Sequence, residues 1–269
     1  MAERGQKSET QKEYEVIRDA FRRLINHWEN SAEREDIIED IITNRCSFLI
    51  DWALRGLRIE FEEALNILRN HNNFSTERER QQHEMLVAAI DNLIDFAVAE
   101  EVAMLDELPE DIDVECMSDY ETVCEQYNLT YAEAENEQVF FAAKMAAWWL
   151  AVSAESVITY MTQGDERVRP WHLSLEGVSY LKSEFPPELI PPIEWGCRCY
   201  LIANGFAGVK ASLGIDKCRS MVDPIFRESL ATGGRIFTDA HRYFSKPLPA
   251  YAKSIAQRLK SKFYDQDND

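Results

Sequence analysis

Apolar residues recur every three or four positions through most of the first 150 residues. Leu54, Leu57, Phe61, Leu65 and Leu68 fall on one helical face, and Leu86, Ile90, Leu93 and Ala97 repeat the pattern. No proline interrupts the segment Asp36 to Asn70. It is predicted as one helix of about 50 Å at ~1.5 Å per residue, with Gly56 as its weak point. Three helix starts carry the same T-x-x-E signature: Thr10–Glu13, Thr76–Glu79 and Thr130–Glu133. In such a box the Thr hydroxyl takes the N3 amide and the Glu reaches back to the N-cap amide. The most apolar window, "VFFAAKMAAWWLAV" from Val139 to Val152, contains Lys144 and is too short to span a bilayer of ~30 Å. It reads as a buried core helix over about 137–152.

Beyond Ala154 the period changes. "SVITYM" is β-branched and aromatic, "TQGDE" is turn-like and "RVRPWH" is the expected returning strand of a hairpin. "SEFPPELIPP" holds four prolines and reads as an irregular loop. "WGCRCYLIA" reads as a further strand, and "PLPAYAKSIAQRLKSKFY" as a final amphipathic basic helix. The fold class is therefore α+β: a largely helical N-terminal half, and a small antiparallel β module (hairpin plus Cys-x-Cys strand) in the C-terminal half. Three regions are expected: 1–136 helical and acidic, 137–204 the α+β module, and 205–269 a basic C-terminal segment. From Glu100 to Glu125 there are eleven acidic and no basic residues, with Pro109 inside. This stretch reads as an exposed connection; its "DIDVE" lacks the glycine and terminal glutamate spacing of a calcium loop.

Charge changes the picture next. The 269 residues carry a formal net charge of −19, which excludes a generic nucleic-acid coat. Residues 200–269 hold 11 basic and 7 acidic residues, whereas residues 1–199 hold 18 and 41. The two parts offer different surfaces to partners. Weak DNA contact is expected only through the basic C-terminal segment. The polar start "MAERGQKSETQKEYEV" has no apolar signal-peptide core, so no membrane or secretory route is expected. Without one, the six cysteines are not expected to form a disulfide framework, and Asn128-Leu129-Thr130 would not meet the glycosylation machinery.

The chemistry gathers in two short pieces, "TQGDERVRPWHLSLEG" (162–177) and "EWGCRCYLI". On a strand, Cys197 and Cys199 point to the same face. A disulfide between such close neighbours is strained, which leaves two readings. In one, both thiolates share a metal, zinc being the candidate cofactor, with His172 as third ligand and Asp165 as a fourth candidate. In the other, a reduced pair of cysteines packs beside a hydrogen-bonded histidine. Arg167 and Arg169 share a strand face in the predicted hairpin, which Asp165 and Glu166 begin. An arginine–carboxylate network fixing the hairpin is the favoured reading, and a grip on phosphate the alternative. Trp171 and Trp195 are expected to cap this small core rather than stack bases. His172 with either cysteine makes a nucleophile–base pair only on paper, since nothing orients it, and "ATGGR" lacks the Walker spacing. No enzymatic activity is expected. A metal-dependent enzyme built on His172 and Cys197/Cys199 is the alternative.

The ordered pattern Asp165, Glu166, Arg167, Arg169, Pro170, His172 and Gly177, followed by Trp195, Gly196, Cys197, Arg198 and Cys199, resembles the C-terminal signature of the phage Mu protein F-like family. The resemblance covers about forty residues, Thr159–Tyr200. The helix before the hairpin reads "FFAAKMAAWWLAVSAES" and lacks the family's Arg-Thr-Glu-like stretch. Similar sequences often carry cysteine where His172 stands, which suits a ligand position. The resemblance implies a minor head protein of a tailed phage, located inside the virion head and in the host cytoplasm during assembly. The implied partners are the portal or other head proteins, and the implied role is head morphogenesis and DNA packaging or ejection. Some relatives use the module to deliver a toxin or nuclease. No such domain is expected in the roughly 70 residues after Cys199.

Overall fold

The computed structural model describes residues 7–70, 73–204 and 210–265. The first six residues and the junction at Gly205 lie outside them. In order, the N-terminal part forms α1 (Glu9–Asn26), α2 (Ser31–Leu57), α3 (Phe61–Leu68), α4 (Glu77–Leu105), α5 (Met117–Glu125) and α6 (Ala132–Ala151). Helices α1, α2, α4 and α6 pack on one another, with α2 against α6 as the most extensive contact. From Met85 onward α4 buries residues on every side, as befits the central helix. No helix among the described residues is long and apolar enough to cross a membrane.

Of the three expected capping boxes, one forms. Thr76 Oγ1 accepts from Glu79 N, and the Glu79 carboxylate accepts from the Thr76 amide. At the first site, Ser8 lies upstream and takes the N-cap role by accepting from Gln11 N, so Thr10 is buried inside α1. At the third, α5 runs through a π-helical stretch (Gln126–Tyr131) straight into α6, and Thr130 lies within it rather than at a start.

The helix expected over Asp36–Asn70 is two helices. The break falls at Arg58, left-handed at φ 60, where Ile59 N donates to Leu54 O and Arg58 N to Arg55 O. This is a Schellman ending. Gly56 has a different role. A Cβ there would lie 2.5 Å from Phe140 O and 2.6 Å from Ala143 Cβ, so glycine lets α2 touch α6. The expected exposed connection exists but is shorter, spanning residues 106–113 between helices. Helix α4 continues through Glu100 and Glu101, both fully buried, and α5 has begun by Met117.

The fold is α+β. The C-terminal half carries a three-stranded antiparallel sheet in the order β2–β1–β3: β1 (Val157–Met161), β2 (Ser179–Leu181) and β3 (Tyr200–Ala203). Ile158 pairs with Tyr180 on one side, and Tyr160 with Leu201 on the other. The return strand is thus β2 and not "RVRPWH". Pro170 presets the first turn of a short helix instead, α7 (Pro170–Leu173). Lys182 Nζ ties the module to the body by donating to the carbonyls of Trp149 on α6 and of Val152 just past its end, each at 2.7 Å. Helix α8 (Ile215–Met221) follows, and the chain then crosses the helical body to α9 (Ala250–Tyr264), which packs on α3 and α4. Asn92 on α4 holds this crossing: its Oδ1 accepts from Ile236 N and Phe237 N, and its Nδ2 donates to Phe237 O. Buried residues from all three expected regions belong to one contiguous core.

Candidate metal centre

The two motif pieces meet. Pro170 starts α7 and turns His172 inward until it is 2% exposed. Gly196, at φ 67, turns the second piece. Trp195 stacks on Phe237 with ring centroids 5.7 Å apart and meets Phe226 edge-on, whereas Cys197 enters the module. Cys197 and Cys199 lie in the irregular segment just before β3, not on the strand itself, yet both are buried. His172 Nδ1 is 3.3 Å from Cys199 Sγ and 4.0 Å from Cys197 Sγ. All three candidate ligand atoms lie within 4.8 Å of one another.

The other face of the imidazole is also engaged. His172 Nε2 is 2.9 Å from Glu194 Oε1, which lies 2.5 Å from Arg169 Nε. Arg169 also donates to the carbonyl of Trp195. The arginine–carboxylate network expected of the motif therefore exists, with different partners. Arg169 takes Glu194. Arg198 takes Asp165 through one nitrogen shared between both oxygens, at 2.7 and 2.8 Å. Arg198 holds the Asp165 carboxyl below its ordinary range, and Asp165 is turned to solvent, which removes it from the ligand set. Glu166 and Arg167 stay exposed, and no strand face unites Arg167 with Arg169. Gly177, at φ 77, extends the β1 ladder by donating its amide to Tyr160 O. Trp171 is half-buried, its ring edge-on to His172.

Sequence reasoning missed two residues here, Glu194 and Tyr160. Tyr160 sits on the central strand, 1% exposed, with its hydroxyl against both cysteine sulfurs. Burial, then the two thiols, raises its proton affinity. The inward alternation of β1 was the available signal. The hydrogen bond from Cys199, with help from His172, holds Cys197 well below the ordinary thiol range, and the same bond pushes Cys199 up. All six cysteines are free thiols.

A second polar cluster lies inside the helical body. Arg45 on α2, 1% exposed, donates to Glu100 at 2.6 Å, Asn136 at 2.8 Å and Glu135 at 2.9 Å. Tyr243 donates to Glu135, and Asn136 and Trp52 donate to Glu13. Burial opposes the charge on Arg45, but Glu100 and Glu135 outweigh it and keep the guanidinium protonated. An arginine interrupting the apolar row Ile38, Ile41, Ile42 and Leu49 was the sequence signal for this cluster.

No family model matches the chain, and no solved structure matches it. Over 42 residues it is 50% identical to an uncharacterized protein of Methanocaldococcus jannaschii, a match covering 16% of this chain and 7% of that protein.

Proposed function

We propose that the chain is a non-enzymatic minor head protein of a tailed phage, acting in head morphogenesis and in DNA packaging or ejection through contacts with the portal or inner capsid. One observation carries the reading. Most residues of the Mu F-like signature close on one another around His172, with Asp165, Glu166 and Arg167 at the surface, and the free space beside His172 and Cys199 is only about 10 Å³. That is room for about one water and for no organic substrate. The cluster is anchored to the helices by Lys182 and by the Trp195–Phe237–Phe96 stack, so it suits a rigid fixture on a protein-binding body. The acidic helical surface would be repelled by packaged DNA and stay free for protein partners.

The test is co-expression of the full chain with the portal protein of the same phage or prophage, followed by size-exclusion chromatography and mass spectrometry of purified virions. Co-elution with portal and a few copies per particle are the expected results. Separate elution together with absence from virions would overturn the reading.

A further inference from the structure

We propose that the motif closes on a divalent metal ion, zinc by preference, held by Cys197 Sγ, Cys199 Sγ, His172 Nδ1 and Tyr160 Oη. This inference is independent of the head-protein reading. A tetrahedral zinc with Zn–S of ~2.3 Å and Zn–N of ~2.0 Å sets its sulfur and nitrogen ligands roughly 3.5–3.8 Å apart. The observed Nδ1–Sγ separations of 3.3 and 4.0 Å bracket that spacing. Small rotations of two side chains would equalise them.

Three ligands leave a tetrahedral site one short, and the fourth corner is filled by Tyr160. Its hydroxyl is buried, flanked by both sulfurs, and has no aligned hydrogen bond. A buried hydroxyl without a partner is costly, and a metal in the sulfur-lined gap supplies one. Behind the ring, Glu194 and Arg169 complete the arrangement. His172 Nε2 and Glu194 Oε1 lie 2.9 Å apart without an aligned hydrogen bond, and a small rotation of the ring would seat a proton on Nε2 against the carboxylate and leave Nδ1 as a lone pair, the carboxylate–histidine–metal order. Charge also closes. On binding, the two thiols release their protons to solvent and the thiolates cancel a 2+ ion. Tyr160 then binds as the neutral phenol, and Glu194 cancels Arg169. Thiolate and imidazole donors favour zinc over hard cations such as magnesium or calcium.

The experiment uses the full chain, purified under reducing conditions. Elemental analysis should find one zinc per chain, and cobalt(II) should replace it with the visible bands and thiolate charge transfer of a tetrahedral site. Cys199→Ser should remove most of the charge transfer. Tyr160→Phe, which keeps the ring, should still bind cobalt, at least about tenfold more weakly and with shifted visible bands. Glu194→Gln should weaken binding by about 10–100-fold without shifting those bands. Natively folded protein, judged by near-UV circular dichroism, that contains no metal and takes up no cobalt overturns the site. A Tyr160→Phe variant with wild-type cobalt spectrum and affinity overturns the fourth ligand. If Cys199→Ser fails to fold, chelator treatment of the wild type replaces it: a lowered melting temperature supports the site, and an unchanged one counts against it.

Discussion

At the scale of single residues, Glu101 is under the sharpest constraint. Its side chain has no solvent, one long donor in Asn128 at 3.4 Å, and one oxygen without a partner. Arg45 is already committed to Glu100 and Glu135. Burial, then the Glu100 charge, raises the proton affinity of Glu101 well above that of an ordinary carboxyl, and burial does the same for Glu135. The sign follows from linkage. A carboxyl whose folded pKa exceeds its unfolded value of ~4.3 binds its proton more tightly in the native state. Its contribution is therefore complete below the unfolded pKa and is lost as pH rises through the folded one. Glu101→Gln keeps the shape and removes the titration. We expect the variant to be more stable than wild type at neutral pH, and its melting temperature to fall less between about pH 5 and about pH 9. Calorimetric melts across that range check this; parallel wild-type and variant curves would refute it.

At the scale of elements, what the sequence made legible were features set by local periodicity. The 3.6-residue stripes placed α2 and α4, the apolar window from Val139 to Val152 placed α6, and the change of period after Ala154 placed β1 and β3. Features decided by competition between neighbouring signals were not legible. Ser8 displaced Thr10 as a cap, and Arg58 adopted a left-handed turn that no glycine announced. Pro170 opened a helix where a strand was expected, which moved the return strand to Ser179. The candidate centre was legible in its composition but not in its closure, because Glu194 and Tyr160 join it only through the fold. Gly56 shows the same limit. Its helix propensity marks it as weak, whereas the structure makes it a contact point. Alanine has a propensity advantage over glycine of about 1 kcal/mol in a helix interior. At Gly56 the added methyl meets the α6 backbone, an overpacking penalty of roughly 1–3 kcal/mol that includes moving one helix off the other. Gly56→Ala should therefore lower stability in urea denaturation; an increase would mean that α2 and α6 separate more easily than their contact implies.

At the scale of the whole molecule, the basic C-terminal segment and the acidic body neutralise each other. Lys260 reaches Asp95 at 2.8 Å, Tyr264 donates to Asp91, Arg258 meets Glu39 and Lys246 meets Asp106. Arg235 takes Glu228 and Asp239, and Arg219 takes Glu188. Among the described residues of this segment, Lys210, Lys217, Arg227, Arg242, Lys253 and Lys262 are left without an ion pair, and Arg242 is held over the rings of Tyr127, Tyr131 and Tyr243, which leaves five free cations. A DNA contact through this face therefore neutralises at most about five phosphates, with a salt exponent of about −4.5. Its affinity should fall a few hundredfold between about 50 and about 200 mM salt. The surrounding charge of −19 lowers the starting affinity further. We expect fluorescence anisotropy of the full chain with duplex DNA to show weak binding at low salt and none at physiological salt. Tight binding at physiological salt would mean that the ion pairs holding α9 to α4 open when a phosphate backbone arrives. The acidic face of α4 would then be the surface that α9 covers until DNA displaces it.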